Sequence, residues 1–395
     1  MSRTINEQPS MKTGLEQSHK PAYSPGLEGV IAGESALCLV DEGAAGLRYR
    51  GYAIADLAEQ SSFEEVVYLL LYSRLPTRPE LDRFCSLLDT SRMLSGTVQR
   101  CLAALPAGAH PMDTLRTGIS LLGLTDPDAQ DGSRDANLRK SVRLLGQIPL
   151  LIAHLHCAAS GTQPAPSPSV KGFAHHLLRL FADRNDDELS EPMAKVLNVS
   201  LILYAEHEFN ASTFAARVVA STLTDLHGAI TAAVASLKGP LHGGANEAVA
   251  SMMVEIGRPE RAESWLRRAL ERKQRIMGFG HRVLKHGDAR SAIIQRHAEE
   301  LSVLCGDQRW IEIARTIDRN MQEEKGLYPN LDFYTAVAYL LMGIPTALYT
   351  PLFVCSRIAG WCAHVIEQQE HNRLMRPRSL YTGPAPRAYE PLDRR

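Results

Sequence analysis

The sequence has 395 residues, 45% of them hydrophobic, which is enough for a large core and two or three domains. Its 43 Lys and Arg residues balance 44 Asp and Glu residues, so the composition lacks the basic excess that is typical of nucleic-acid-binding proteins. Seven scattered cysteines without a C-x-x-C pair argue against a disulfide framework or a thiolate zinc site and favour a reducing cytoplasm.

The N-terminal segment 1–24 is polar and of mixed charge. It lacks the apolar stretch of a signal peptide, and we predict that it is a disordered leader. No uninterrupted apolar run in the sequence reaches the roughly 18 residues that a membrane span needs. The sequence therefore predicts a cytoplasmic protein without a membrane segment.

The first ordered elements are predicted to be short strands. Segments 30–40 and 47–51 flank the turn 41–43, a pattern typical of a small β-hairpin. Segment 63–72 is apolar with two acidic residues in its first turn, and Pro76 follows it, which predicts a helix.

Helical periodicity dominates the rest of the chain. Further helices are predicted at 110–124, 136–159, 171–185, 189–208, 211–236, 246–256, 259–274, 288–304, 309–325, 331–343 and 350–370. The polar stretches 126–133 and 161–169 are predicted to be surface loops. The predicted fold class is therefore mainly α with a short N-terminal β-hairpin.

The segment 238–247, KGPLHGGANE, places a histidine in a glycine-rich loop. Gly239 and Pro240 end the preceding helix, and a new helix is predicted to begin near Ala245. His242 therefore lies at a helix N-terminus, where the positive end of the dipole opposes protonation of the imidazole. A neutral imidazole can donate a hydrogen bond to a developing enolate. A helix cap with an incidental histidine fits the spacing equally well.

The segment 276–290, IMGFGHRVLKHGDAR, combines glycine with positive charge. Gly278 and Gly280 allow the backbone to approach a ligand closely, and His281 and Arg290 follow them. Because this G-x-G follows a helix and not a strand, it does not favour a dinucleotide site. A cationic loop suits ligands that carry phosphate and carboxylate groups, and a charged surface loop remains the alternative.

The segment 328–334, YPNLDFY, leads into an apolar helix. Asp332 lies in or beside the first turn, where an acidic residue is an ordinary helix feature. The functional alternative is a general base held against an apolar surface. The helix dipole would lower the pKa of Asp332 and desolvation would raise it, and the sequence does not decide between these effects.

Several arginines are candidate ligands for carboxylates. Arg357 lies on a helix whose neighbouring residues are apolar, and Arg376 follows that helix. A buried guanidinium needs an anion, whereas one that snorkels to solvent does not, and both interpretations stay open. Arg290 is a third candidate. His207, in the segment AEHEFNAST, joins two predicted helices and by itself is typical of a structural junction.

Five separated motifs resemble those of the citrate synthase family in their order and spacing: HEFNAST, GPLHGGANE, GFGHRV, PNLDFY and RPRSLYTGP. The stretch from SPGLEGV to VVYLLLY is also similar to that family. The resemblance covers residues 25–385 and implies a mainly α, two-domain, citrate-synthase-like homodimer. A large domain would comprise 25–238 and 345–395, and a small domain, 239–344, would carry the catalytic loops. The active site would lie in the cleft between them.

The resemblance also implies the chemistry. His242 would stabilise the enol of acetyl-CoA, Asp332 would remove its methyl proton, and His281 would polarise the ketone of oxaloacetate. The residues implied to hold oxaloacetate are His207, Arg290, Arg357 and Arg376, the last from the other subunit. Those implied to contact CoA are Gly278, Phe279, Gly280 and Lys285. The partners would be these two small molecules, with no metal or other cofactor, since acetyl-CoA is itself a substrate.

Three alternatives accompany this interpretation. A 2-methylcitrate synthase would use the same groups on propionyl-CoA, and one methylene changes discrimination by only about 1–3 kcal/mol. His242, His281 and Asp332 could instead form a metal-binding triad of two histidines and a carboxylate, although the surrounding arginines would repel a metal ion. A helical scaffold without activity is the third alternative, and the filled catalytic positions argue against it.

Overall fold

The structure is a computed structural model that describes residues 23–41, 46–106, 108–162, 172–182, 187–280 and 287–395. Most of the predicted leader and most of the predicted loop 161–169 lie outside these ranges. The chain divides into two compact units, one formed by Ser35–Met375 and the other by Met1–Glu34 with Arg376–Arg395. The division into a large and a small domain stays a prediction.

Within the described ranges the chain forms sixteen α-helices, which confirms the mainly α fold. The helices are α1 Ile54–Gln60, α2 Phe63–Tyr72, α3 Arg78–Thr90, α4 Gly96–Ala103, α5 Pro111–Thr125, α6 Arg134–Ser160, α7 Phe173–Phe181, α8 Asp187–Tyr204, α9 Ala211–Ala220, α10 Leu226–Leu237, α11 Ala245–Ile256, α12 Pro259–Glu271, α13 Ala289–Leu304, α14 Arg309–Lys325, α15 Leu331–Leu341 and α16 Tyr349–Glu370.

The N-terminal strands form one small antiparallel sheet. The strands are β1 Cys38–Val40, β2 Leu47–Tyr49 and β3 Tyr52–Ala53, in the order β1-β2-β3. Cys38 pairs with Tyr49, which in turn pairs with Tyr52. The predicted hairpin is thus confirmed, although the first strand begins at residue 38 and not at 30, and a third strand follows.

Helix α2 shows why the pattern around 63–72 predicts a helix correctly. Ser62 accepts a hydrogen bond from the backbone N–H of Glu65, and the Glu65 carboxylate accepts one from the Ser62 backbone N–H. This capping box satisfies two N–H groups that a helix start leaves without partners. Ser73 adopts a left-handed conformation with φ of 66° and ends the helix.

The structure corrects one predicted helical segment and adds three helices that the sequence did not predict. The segment 211–236 is not one helix but two, α9 and α10, because the backbone of Leu223 turns into the left-handed region and Asp225 caps a new helix. The side chain of Asp225 accepts a hydrogen bond from the Gly228 N–H at 2.9 Å. Helices α1, α3 and α4 were not predicted, since their short apolar stripes alternate with many polar residues.

Helix α16 forms much of the core of the Ser35–Met375 unit. Every residue from 349 to 366 is buried, and the helix packs against α2, α5, α6, α8, α9 and α10. A helix that is apolar on all sides must be enclosed by other elements. Polar residues on α16 therefore point into the protein interior, which is where Arg357 and His364 lie.

Helix α6 begins at the polar stretch 126–133, whose role the sequence left open. Arg143 pairs with Asp126 at 2.7 Å and with Asp128 at 2.6 Å, and Arg139 pairs with Asp128 at 2.7 Å. Ser133 caps the helix by accepting a hydrogen bond from the Ala136 N–H. The stretch thus fixes the start of α6.

One described helix is long and apolar enough to cross a membrane by length and composition alone, namely α6 over Arg134–Ala159. Of its most apolar window, 56% is buried inside the protein. Core helices of soluble proteins meet the same criteria, so this helix is weak evidence for a membrane segment.

The terminal unit contains little regular structure within its described residues. Two short 3-10 turns, Pro25–Leu27 and Leu392–Arg394, are its helical elements. Arg376 belongs to this unit and is exposed.

Candidate active site

The C-terminal end of α8 is a meeting point for two predicted site residues. Tyr204 is the last residue of α8, and its hydroxyl lies 2.6 Å from Oδ1 of Asp332 on α15. Its backbone carbonyl accepts a hydrogen bond of 2.6 Å from Nε of Arg357 on α16. Asp332, the candidate base, and Arg357, a candidate for binding a substrate carboxylate, are therefore both hydrogen-bonded to Tyr204.

Asp332 lies in the first turn of α15, as the sequence predicts. Asn330 caps this helix by accepting a hydrogen bond of 3.1 Å from the Asp332 backbone N–H. Desolvation raises the pKa of Asp332 to about 6, against the opposing hydrogen bond from Tyr204 and the positive charge of Arg290. Desolvation thus outweighs the groups that favour the ionised carboxylate.

His242 lies in a tight loop between α10 and α11. Its backbone N–H donates to the Gly239 carbonyl at 2.9 Å, and the Gly243 N–H donates to the Leu237 carbonyl at 2.9 Å. A Cβ on Gly243 would lie 2.5 Å from that same Leu237 oxygen, so the loop requires glycine there. The glycine-rich sequence therefore serves to fold the loop closely onto the end of α10.

The hydrogen bonds of His242 define its neutral tautomer. The backbone N–H of Ser212 donates to Nε2 at 3.3 Å, and the Ser212 hydroxyl lies 2.8 Å from the same atom. Because Nε2 accepts, the proton of the neutral ring is on Nδ1. Desolvation, reinforced by the charge of Arg357, lowers the pKa of His242 to about 4. The expected neutral imidazole is supported, but burial is its main cause.

The ring of Phe353 brings these groups together. It lies 4.3 Å from the Tyr204 ring and 6.4 Å from the His242 ring between centroids. The Arg357 guanidinium lies over the same ring at 4.8 Å. His242, Arg357 and Tyr204, whose hydroxyl contacts Asp332, therefore pack around one aromatic side chain.

Arg290 is buried in the first turn of α13 with its own counterion. Its Nε and Nη2 atoms donate to the two carboxylate oxygens of Asp288 at 3.0 and 2.8 Å. Burial disfavours the charged form, yet the Asp288 carboxylate holds the pKa of Arg290 above its usual value. The Nη1 atom reaches the Leu203 carbonyl at 3.5 Å, next to Tyr204.

Arg357 differs from Arg290 because it forms no ion pair with any carboxylate of the described residues. It is 2% exposed, and desolvation lowers its pKa. A buried cation of this kind favours a ligand that carries negative charge. His207 is also buried and lies in the turn after α8, with Asn210 donating weakly to its carbonyl at 3.4 Å.

A buried chain of polar groups that the sequence did not reveal leads from α9 through α16 to Glu206. A guanidinium can only donate, so Arg217 Nη1 donates to Nδ1 of His364 at 2.9 Å. His364 must then carry its proton on Nε2, which donates to Glu206 at 2.9 Å. The Glu206 carboxylate is fully buried, and its charge opposes the lowering of the Arg357 pKa.

The glycine loop 278–280 is tied to the segment before α15. The Gly280 N–H donates to the Tyr328 carbonyl at 3.0 Å, and the Asn330 N–H donates to the Gly278 carbonyl at 2.9 Å. Both glycines have positive φ, 85° and 76°. Phe279 is buried with its ring 4.7 Å from Phe333. The predicted CoA loop is thus linked to the helix that carries Asp332.

Three predicted site residues are not placed in this cluster. His281 and Lys285 lie outside the described residues. Arg376 belongs to the terminal unit. Within the ranges that the structure describes, His, Cys, Asp and Glu side chains form no group of three that could hold a metal ion, and these ranges exclude His281.

Four residues of the cluster were missed by the sequence reasoning. Ser212 and Asn246, whose side-chain amide donates to the Tyr204 hydroxyl at 3.1 Å, lie inside the motifs HEFNAST and GPLHGGANE, which therefore carried the signal. Tyr204 and Phe353 lie in apolar helices, where nothing in the local pattern separates them from core residues. Together the cluster offers a carboxylate base near neutral pKa, a neutral imidazole donor and a buried cation.

Comparison with known proteins identifies the family. The sequence model of the family described as citrate synthase, C-terminal domain, matches residues 26–378 of this chain. Citrate synthase 2 of Bacillus subtilis is 43% identical over 371 residues, which are 94% of this chain and 98% of that protein. A 2-methylcitrate synthase of Mycobacterium tuberculosis is 42% identical over 364 residues, 92% of this chain and 91% of that protein.

A solved structure agrees with this assignment. The ternary complex of carboxymethyl coenzyme A and oxaloacetate with citrate synthase from Thermoplasma acidophilum has a TM-score of 0.86 and 33% identity, covering 95% of this chain and 100% of that one. The chain therefore belongs to the citrate synthase family and is a condensing acyltransferase of the citrate/2-methylcitrate synthase type.

Proposed function

We propose that the protein condenses acetyl-CoA with oxaloacetate and water to give citrate and CoA. The observation that carries this proposal is the packing of His242, Arg357 and Tyr204 around Phe353, with Asp332 hydrogen-bonded to the Tyr204 hydroxyl. Asp332, His242 and Arg357 supply a base, a neutral hydrogen-bond donor and a site for a carboxylate.

Asp332 removes a proton from the methyl group of the thioester. Its pKa of about 6 leaves it ionised at neutral pH while keeping it a stronger base than an exposed carboxylate. A weak carbon acid needs such a base together with a group that stabilises the enolate as it forms.

His242 supplies that second group. Its Nδ1–H, left available by the contact between Ser212 and Nε2, donates to the thioester oxygen as negative charge develops there. Because the ring is neutral at the start, the interaction strengthens in the transition state, which is what lowers the barrier.

Oxaloacetate lies beside the enol with its carboxylates on Arg357, Arg290 and His207, and Arg376 comes from a second copy of the chain. Arg357 is the strongest of these candidates, because the described part of the chain gives it no carboxylate partner. His281 polarises the ketone, and CoA lies against Gly278, Phe279, Gly280 and Lys285; these assignments derive from the family resemblance.

A second candidate function is the condensation of propionyl-CoA to 2-methylcitrate. It is favoured by the relatives of that name, because the one from Mycobacterium tuberculosis is 42% identical to this chain and Citrate synthase 2 of Bacillus subtilis is 43% identical. An apolar pocket discriminates one methylene by about 1–3 kcal/mol, or roughly 10- to 200-fold in kcat/KM.

Release of free thiol from each acyl-CoA, with and without oxaloacetate, tests both candidates. We expect oxaloacetate-dependent release with a kcat/KM at least about tenfold higher for acetyl-CoA. A preference for propionyl-CoA would replace the first candidate by the second. If neither acyl-CoA releases thiol, the condensation itself is refuted.

We further propose that the protein acts as a cytoplasmic homodimer without a metal or other cofactor. Turnover is expected to be unchanged after dialysis against excess chelator, and loss of activity that added metal restores would support the metal-triad alternative. Sedimentation of the intact chain is expected to give twice the mass of 43.5 kDa.

A further inference from the structure

The hydroxyl of Tyr204 lies between Asp332, the candidate base, and Asn246 on α11, the helix that follows the loop of His242. It is 2.6 Å from Oδ1 of Asp332 on α15 and 3.1 Å from Nδ2 of Asn246 on α11. Tyr204 and Asn246 are both buried, 2% and 1% exposed. Asn246 follows His242 by four residues, so this contact connects the two halves of the proposed chemistry.

The Tyr204 hydroxyl donates its proton to the Asp332 carboxylate. The amide Nδ2 of Asn246 can only donate, so the hydroxyl accepts from it and donates to the Asp332 carboxylate. Thr335 also lies beside the hydroxyl, with its own proton on the Leu331 carbonyl at 2.7 Å, but the charged Asp332 carboxylate at 2.6 Å is the stronger acceptor. Burial raises the pKa of Tyr204 well above its usual value, so the donor is retained at neutral and alkaline pH.

The two oxygens of Asp332 therefore differ. Oδ1 accepts the short hydrogen bond from Tyr204, whereas Oδ2 has no hydrogen-bond partner within the described chain. Asp332 as a whole is only partly buried, and no described group bonds to Oδ2. A base fixed through one oxygen presents the other in a defined direction, and proton abstraction is sensitive to such alignment.

We propose that Tyr204 is the positioning residue for the base: its hydroxyl, held by Asn246, fixes Oδ1 of Asp332 and leaves Oδ2 to take the substrate proton. This inference rests on the proposed function, because it assigns Asp332 as the base. It adds that α8, α11 and α15 are joined at one hydroxyl, which fixes the separation between the base and the loop that carries His242.

Other groups near Asp332 do not take over this role. Arg290 and Asp288 on α13 act on its charge with opposite signs, and Arg357 on α16 acts with the sign of Arg290. None of them forms a hydrogen bond with the Asp332 carboxylate in the described structure. They influence the charge on the carboxylate but leave its orientation to Tyr204.

The test is Tyr204→Phe, which removes only the hydroxyl oxygen. The hydrogen bond from Tyr204 favours the ionised carboxylate, so its loss moves the acid limb of the kcat/KM profile to higher pH by about one unit. Misalignment lowers kcat on the pH plateau by roughly 10- to 100-fold. The dissociation constant of oxaloacetate, measured by calorimetry, is expected to stay unchanged.

A matched control lies on the same two helices. The Tyr339 hydroxyl on α15 is 2.7 Å from the Ser200 hydroxyl on α8, and both residues are buried. Tyr339→Phe therefore removes a buried tyrosine hydroxyl between α8 and α15 without touching the carboxylate. It is expected to lower thermal stability as Tyr204→Phe does, but to leave the pH profile and kcat near those of the unmodified protein.

A second variant and a direct titration complete the test. Asn246→Ala removes the group that holds the hydroxyl and is expected to lower kcat in the same direction, by a smaller factor. The carboxyl carbon-13 resonance of Asp332, assigned by its loss in Asp332→Asn, reports the titration without turnover and is expected at higher pH in Tyr204→Phe.

The outcomes separate the two proposals. An unmodified protein that releases no thiol refutes the proposed function, while the carbon-13 titration still decides whether Tyr204 holds the carboxylate. An active protein in which Tyr204→Phe keeps the pH profile and kcat of Tyr339→Phe refutes the positioning role. If Tyr204→Phe does not fold, Asn246→Ala decides through its kcat, and an unchanged kcat overturns the inference.

Discussion

The backbone N–H of Ser212 donates to Nε2 of His242, and this contact determines which ring nitrogen carries the proton. A backbone N–H cannot turn its hydrogen away as a hydroxyl can, so Nε2 is an acceptor whatever the rotation of the Ser212 side chain. The Nδ1–H is therefore available for a substrate. The tautomer is built into the fold and does not depend on a ligand.

His242→Ala is expected to lower kcat by roughly 100- to 1000-fold, because it removes the proposed donor to the developing enolate. Oxaloacetate binding is expected to persist, since none of its proposed ligands is changed. Thiol release and calorimetry measure the two effects. Ser212→Ala keeps the backbone N–H and is the control, with kcat expected within about tenfold of the unmodified protein. An equal loss in both variants would contradict the role of the imidazole.

Asp332→Asn is expected to abolish turnover and to stabilise the protein above pH 6. Desolvation raises the pKa of Asp332 from 3.8 to about 6, so the folded state binds this proton more tightly than the unfolded chain. Ionisation therefore destabilises the native protein as the pH rises from about 4 to 6, by about 3 kcal/mol. Urea unfolding at pH 4 and pH 8 should show a gain only at the higher pH.

Asp56→Asn is the control for that gain, because Asp56 is an exposed acid in the first turn of α1. Its effect on the free energy of unfolding is expected to stay below about 0.5 kcal/mol at both pH values. A loss of stability in Asp332→Asn at pH 8 would show that burial of the ionised carboxylate does not destabilise the folded protein.

The sequence could predict the residues of the site that stand in unusual local patterns. Gly239, Pro240 and Gly243 break the helical pattern around His242. Asn330, a residue type favoured at helix N-caps, indicates the start of the helix that carries Asp332. Such signals are local, because caps and tight turns are made by residues close in sequence.

The remaining site residues depend on contacts between distant helices. Tyr204 and Phe353 sit in apolar periodic segments, and they differ from ordinary core residues only because α8, α15 and α16 meet beside them. Glu206 likewise is hydrogen-bonded to His364, which is 158 residues away in the sequence. No local pattern encodes such pairings, so the sequence without a fold could not predict them.

Asp288→Asn is expected to destabilise the protein by about 3 kcal/mol. The asparagine still caps α13 through its oxygen, but Arg290 is left as a buried charge without a counterion. Asp307 offers a matched exposed pair, since it also accepts from the backbone and side chain of an arginine two residues later, Arg309. Asp307→Asn should change stability by less than about 1 kcal/mol. Equal effects in urea unfolding would contradict the importance of burial.

Gly360→Ala is expected to lower the free energy of unfolding by about 3 kcal/mol. A Cβ on Gly360 in the middle of α16 would collide with Oε2 of Glu206 and with the carbonyl oxygen of Ala205. Neither can retreat, because both are fully buried at the turn after α8. Gly96→Ala in α4 is the control: its Cβ meets only the end of the flexible Arg100 side chain at 3.4 Å, so alanine there should be neutral or stabilising. Thermal unfolding compares the two variants. If Gly360→Ala is as stable as Gly96→Ala, the close contact of α16 with the turn after α8 is not needed to place Arg357 against the Tyr204 carbonyl.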